Sequence, residues 1–280
     1  MSSLEEALAQ LWAGEQAVYY DAEADDRDRA SYYADVSNGL DPAQLFQALS
    51  RLVSDTHRRQ PEYRPHVEVY PWVDLQPDRT LRSIYTDEVY DPETLIREDA
   101  ETEERRRDER ARLITEGLTL RDLEAELETT LPYNCEHVYC QSWFDHAEPM
   151  RGDVHHLFAC ESKCNSFRGN FPYDDFPDYP EVVRDPCGRR ERSGFEPAHG
   201  KAKAARAALY FLIRYPEVSA ASPRYDAEHV TMLQGWHAAS GPEEHERHRN
   251  AAIFARQGNR NPLIDFPEWS ERIDFGARPG

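Results

Sequence analysis

Residues Tyr133 to Pro172 read YNCEHVYCQSWFDHAEPMRGDVHHLFACESKCNSFRGNFP. This stretch holds four of the chain's 5 cysteines and four of its 11 histidines. A carboxylate adjoins a histidine at Glu136-His137, and two asparagines flank an arginine at Asn165, Arg168 and Asn170. A soluble core needs no such mixture, so the residue types point to a metal-dependent hydrolytic site. EHVY from Glu136 and DVHHLF from Asp153 are short, partly apolar and β-prone. Glu161 to Arg168 has the character of a short helix, with Gly169 and Pro172 to stop it. Two strands and a helix can fold back so that strand and helix residues meet. On a regular strand Glu136 and His137 face opposite sides, so a bend at the strand end is needed for both to serve one site.

The chemistry of such a site divides among these residue types. A phosphodiester needs an attacking water, neutralisation of charge at phosphorus, and help for the leaving oxygen. A neutral histidine is suited to take the proton from water near neutral pH. A carboxylate and an amide oxygen offer the hard ligands that suit Mg²⁺, with Mn²⁺ or Ca²⁺ able to take its place. Arg151 or Arg168 could hold a phosphate through the guanidinium fork.

Composition sets an objection to this reading. The chain has 53 acidic against 33 basic residues, and residues 1–130 carry about −16 of the net −20. A polyanion is repelled by that first half. A local basic track of Arg151, Arg168, Arg184, Arg189, Arg190 and Arg192 answers it in part. MSSLEEALAQLWAGEQ has no basic flank followed by an apolar run, so no signal peptide is visible. No stretch approaches the roughly 18 apolar residues of a membrane span. The expectation is a soluble cytoplasmic protein with reduced thiols.

Outside the central stretch the chain reads as mostly helical. Residues 1–20 have helical apolar spacing, and the acidic run from Asp21 is expected to be exposed. Asp41 as N-cap and Pro42 at the first position open a helix with Leu45, Phe46, Leu49, Leu52 and Val53 on one face. Short strands and turns are expected over 66–90. Residues 91–130 are charged and helix-prone, and are expected to form a solvated insertion, with Thr119-x-x-Asp122 resembling a capping box. Residues 173–200 are expected to be mostly loop, followed by helices over 201–215, from 226 to 236, and from 240 to Gly258. NRNPLIDFPEW from Asn259 reads as an irregular tail. The histidines of the later helices, His229, His237, His245 and His248, read as surface or hydrogen-bonded side chains. Tyr139, Trp143, Phe144, Phe167 and Phe171 read as core rather than base-stacking residues.

Five cysteines cannot all pair within one chain. Cys135, Cys160, Cys164 and Cys187 around the central stretch could close a structural four-thiolate zinc site, leaving Cys140 as the spare thiol. Buried free cysteines, or one or two disulfides, are the alternatives.

EHVYCQSWF, GDVHHLF and KCNSFRGNFP, in that order, resemble the bacterial endonuclease I family of the ββα-metal (His-Me finger) nucleases. LRSIYT upstream and FEP, ARAALYFLIRYP and QGNRNPLIDFPEW downstream are also similar to that family. The likeness runs from about Tyr32 to Asp274, with 91–130 as extra length. It departs at Cys140, where a proline is expected. The resemblance implies that His137 is the general base, that Glu136 and Asn165 bind the catalytic divalent metal, and that Arg168 and Asn170 support the site or contact phosphate. Arg151 is a further phosphate-binding candidate, and Asp153 and His155 are supporting residues. The implied fold is α+β: a mainly helical single domain around a small ββα-metal finger. Residues 1–130 form its acidic N-terminal part, and residues 131–275 the nuclease core and C-terminal helices. The implied activity is weakly sequence-specific cleavage of DNA, and of RNA, leaving a 5′-phosphate. A cytoplasmic nuclease of this kind would need restraint by an inhibitor or regulatory partner, a non-classical export route, or a foreign DNA target. The competing readings are a zinc-stabilised cysteine-rich binding module without catalysis, and a protein–protein component built on the acidic first half.

Overall fold

The computed structural model describes residues 2–37, 39–177, 180–221 and 225–277. Chain order begins with α1 (Ser3–Gln16), α2 (Ala22–Tyr32), α3 (Pro42–Asp55) and the single turn α4 (Pro65–Glu68). The two-residue strands β1 (Leu81–Arg82) and β2 (Val89–Tyr90) pair antiparallel. The long α5 (Pro92–Thr115) and α6 (Leu120–Thr130) follow. Next come β3 (Cys135–His137), β4 (Leu157–Ala159) and α7 (Ser162–Arg168), the strand, strand and helix expected of the central stretch. The strands β5 (Val183–Asp185), β6 (Gly188–Arg190) and β7 (Phe195–Pro197) form an antiparallel sheet. The chain then runs through α8 (Lys201–Arg214), α9 (Pro216–Ala221), α10 (Ala227–Ala239), α11 (Glu244–Gln257) and α12 (Pro262–Asp265). The protein is an α+β domain, mainly helical, with short strands.

Two apolar clusters meet at the β3–β4 hairpin. Cys135, Leu157 and Ala159 point into a cluster with Leu8, Val67, Leu95 and Ile253. Val138, Phe158 and Cys160 join a larger one built on α3, α8 and α10. The alternation along β4 is the period-2 pattern of a strand buried on both faces. In α8 the run from Ala207 to Ile213 is buried all round, as expected of a helix that is apolar on every side. These contacts clamp the hairpin on two sides and fix where its end projects.

Where tertiary contacts intervene, the structure departs from the sequence reading. The acidic run after Asp21 is helix α2, and its Asp25 is buried against Arg260 at 2.7 Å. The charged 91–130 segment is not simply a solvated arm. Its Asp99 is fully buried and accepts hydrogen bonds from the Tyr70 hydroxyl (2.8 Å) and the Asn134 amide (3.1 Å), the residue that leads into β3. Residues 173–200, expected as loop, hold the three-stranded sheet, whose strands are too short to show a period. The tail from Asn259 is ordered, with Asn259, Arg260 and Asn261 buried. His245 and His248 are buried and not at the surface, and they fit the second half of their reading, as hydrogen-bonded side chains: His248 bonds the Tyr19 and Trp72 carbonyls at 2.6 and 2.8 Å. No helix among the described residues is long and apolar enough to cross a membrane.

Candidate active site

The β3–β4 ladder pairs Glu136 with Phe158 and His137 with Leu157. Strand β3 ends at His137, so the two neighbours are freed from strict alternation and both reach one cleft of about 340 Å³. Asn165 and Asn170, from α7 and the turn after it, line the same cleft. Arg168 ties the parts together. Its guanidinium pairs with Glu136 through Nη1, and donates to the carbonyls of His137 (2.8 Å), Val138 (2.9 Å) and Phe171 (3.2 Å). Its plane lies 4.8 Å from the Tyr173 ring centroid. All three nitrogens have protein acceptors, so Arg168 positions the strand end and is not presented as a phosphate fork, contrary to one sequence expectation.

Glu136 is completely buried. Burial pushes its carboxyl up to about 7, against the opposing pull of the Arg168 guanidinium and the nearby Tyr85 hydroxyl. The Tyr85 hydroxyl is itself bonded to that of Tyr173, at 2.8 Å. Oε2 of Glu136 is buried with no hydrogen-bond partner among the described residues. A buried orphan carboxylate oxygen in a native fold calls for a partner. Asn165 donates from Nδ2 to the Cys135 carbonyl at 2.9 Å, which keeps its Oδ1 available as an acceptor. A carboxylate and an amide oxygen on one cleft fit a hard divalent cation that retains several waters.

His137 is buried, and its Nε2 meets the Arg151 carbonyl at 2.9 Å. A carbonyl only accepts, so Nε2 carries the proton and Nδ1 keeps its lone pair. Burial first, and then the His156 ring, hold His137 well below the usual histidine range, so it is neutral near pH 7. Tyr63 packs against it with ring centroids 4.4 Å apart. The ring therefore has one orientation and one tautomer.

Arg151 is committed elsewhere. Its Nη2 pairs with Glu124 at 2.8 Å and Glu128 at 3.2 Å, and its Nε donates to Gln141 at 3.2 Å. Glu124, Glu128, Gln141 and His146 had no local sequence signal that set them beside the site, yet the last three line the cleft. Of the proposed basic track, Arg189 pairs with Glu196 (2.6 Å), and Arg184 and Arg190 donate to the carbonyls of Val182 and Phe167.

Asp153 and His155 lie beneath the cleft and not in its lining. Asp153 accepts from the hydroxyls of Tyr210 (2.9 Å) and Tyr215 (3.0 Å) and from Gln257 (3.0 Å). His155 bonds the Asn259 carbonyl at 3.3 Å, and burial holds its ring down at about 4. Unfolded, that ring would protonate near 6.5. Between these values the unfolded chain binds more protons, so stability is at its full value above about pH 6.5 and falls toward pH 4. The loss from His155 alone is about 3 kcal/mol. Urea midpoints at pH 7.5 and 4.5 check this, and equal midpoints would contradict it.

The four-thiolate zinc site is not formed. Cys164 and Cys187 are joined in a disulfide that ties α7 to the β5–β6 turn. Cys135, Cys140 and Cys160 are buried and outside that disulfide. Cys135 lies in one apolar cluster and Cys160 in the other. Burial pushes both of these thiols up, away from the thiolate form that zinc requires.

The family model described as Endonuclease I matches residues 47–268. The chain belongs to the endonuclease I family. This endonuclease I family member is 30% identical over 157 residues to the extracellular ribonuclease of Bacillus subtilis (strain 168), covering 50% of the chain and 54% of that protein. The Bacillus amyloliquefaciens extracellular ribonuclease is also 30% identical over 157 residues, covering 50% of the chain and 53% of that protein. The Aeromonas hydrophila extracellular deoxyribonuclease is 29% identical over 127 residues, covering 43% of the chain and 52% of that protein. The chain thus spans about half the length of the curated relatives it matches. All three are named as extracellular, which overturns the expectation of a cytoplasmic protein with reduced thiols. The Cys164–Cys187 disulfide fits an oxidising compartment.

Proposed function

We propose that this endonuclease I family member is a divalent-metal-dependent endonuclease that hydrolyses phosphodiester bonds of DNA and RNA with little sequence specificity. One observation carries the proposal: His137, neutral and held in a single tautomer, shares a cleft with the orphan oxygen of Glu136 and with Asn165. The Nδ1 lone pair of His137 takes the proton from an attacking water, and the Arg151 carbonyl holds the ring in line throughout. Glu136 and Asn165 would hold the cation, Mg²⁺ by the hardness of its oxygen donors. When bound, the cation supplies charge neutralisation at the phosphate and at the leaving oxygen. Arg168 keeps Glu136 in place and stays with its carbonyls. Because water is the nucleophile, the sugar 2′ position plays no part in the chemistry. That supports action on both nucleic acids, and the relatives are named for one or the other.

Cleavage of supercoiled DNA and of RNA is expected to stop in EDTA and to return with Mg²⁺ or Mn²⁺. Calorimetric titration should show that Glu136→Ala loses cation binding. Turnover that persists undiminished after chelation would exclude the metal-dependent mechanism.

A further inference from the structure

The α5–α6 hairpin that the sequence shows as extra charged length ends on the candidate active site. Glu124 and Glu128, one turn apart on α6, both reach the same nitrogen of Arg151, at 2.8 and 3.2 Å. Glu128 lines the cleft together with Glu136 and His137. The residue so gripped is also the one whose carbonyl orients the His137 ring. Carboxylate and phosphate are recognised by guanidinium in the same way, through paired N–H donors to anionic oxygens. The side chains of Arg151, Glu124 and Glu128 are 11%, 15% and 16% exposed, so each keeps an edge at the solvent, where dissolved ions compete with the pairs.

The attachment of α6 is polar. Its buried apolar residues, Leu123 and Leu127, pack with Leu113 of α5 and with the half-buried Leu118 and Leu131, in a cluster separate from both main cores. Its other ties are ionic or run to the backbone. Arg121 pairs with Asp145 at 2.9 Å, Arg110 pairs with Glu124 at 2.6 Å, and Arg106 donates to the Leu131 carbonyl at 2.8 Å. Displacing this helix would open that small cluster but neither main core. Glu128 in the cleft lining, with Glu124 beside it on Arg151, also repels an incoming polyanion.

Resting on the nuclease reading, we propose that α6 is a displaceable acidic latch. Glu124 and Glu128 occupy on Arg151 the place of a substrate phosphate, and nucleic acid enters by exchanging its phosphates for these carboxylates. The exchange is ion for ion, and no bond is made or broken.

The test uses the full chain, wild type beside Glu124→Gln/Glu128→Gln. Binding of a fluorescent phosphorothioate oligonucleotide is read by anisotropy in EDTA, and cleavage in Mg²⁺ is read across a NaCl series. The double variant should bind about tenfold more tightly, because two like charges leave the path of the phosphates. Wild-type cleavage should rise with the first additions of salt and then fall, whereas the variant falls throughout. Equal affinities, parallel salt profiles or slower cleavage by the folded variant would overturn the latch. If neither protein cleaves but affinity still rises, the nuclease reading fails and the latch stands. Should the double variant not fold, Arg121→Ala removes an exposed tie of α6 without touching Arg151. It should give a smaller gain in affinity, and no gain there would count against the latch.

Discussion

His137→Ala is expected to lower cleavage of DNA and RNA by roughly 10²–10⁴-fold, the contribution of a positioned general base. The loss should fall on kcat with KM little changed, because in the proposed mechanism the imidazole acts on water and not on the bound substrate. Alanine also leaves the Arg151 carbonyl without its donor, at about 1–3 kcal/mol. A second variant separates the two effects. In His137→Gln the amide nitrogen can still donate to that carbonyl, but no lone pair with histidine basicity remains. Both variants should be inactive, and the glutamine variant should retain more of the stability. Unchanged turnover in either purified variant would rule out the assigned base.

Arg168→Leu is expected to destabilise the fold by about 3–5 kcal/mol, the usual result of breaking a buried ion pair by removing one partner. Glu136 would be left buried without its counter-charge, and the carbonyls of His137, Val138 and Phe171 would each lose a donor. Glu136 can escape part of this by staying protonated, since burial already pushes its carboxyl up to about 7. That escape has a definite pH sign. A carboxyl raised in the fold binds its proton more tightly there than in the unfolded chain, so stability falls as pH rises through the interval between the two values. The damage should therefore deepen from about pH 5 to pH 8. Arg168→Lys should rescue little, because one ammonium cannot serve four acceptors spread around a planar fork. Denaturant midpoints for the three proteins at both pH values measure all of this. A loss under about 1 kcal/mol in the leucine variant would show that the pair does not hold the site.

Features settled within a few residues were readable in advance. Asp41 accepts from the Gln44 amide at 2.9 Å, and Pro42 follows it, as the capping pattern requires. Gly258 stops α11 with φ +93, where a side chain would strain the backbone. Glu136, His137 and Asn165 were picked out by residue type and spacing, and the structure brings the three to one cleft. The sequence starts this last long helix at 240, whereas α11 begins at Glu244 behind a Glu243–Glu246 capping box.

By itself the sequence determined which residue types converge on strand, strand and helix, and so the hydrolytic chemistry on offer, because that signal lies in nearest neighbours and local turns. Tertiary structure alone decided three further points. Arg168 is spent on Glu136 and three carbonyls and is not left for phosphate. Cys164 finds Cys187 and not a metal. Two acidic residues of a helix that reads as solvated come to rest on Arg151. Apart from the Arg168 bond to the Phe171 carbonyl, each of these is a meeting of groups more than twenty residues apart in the chain. Local propensity carries no information about such pairs, and burial sets their partners through the cost of leaving any charge or donor unmatched.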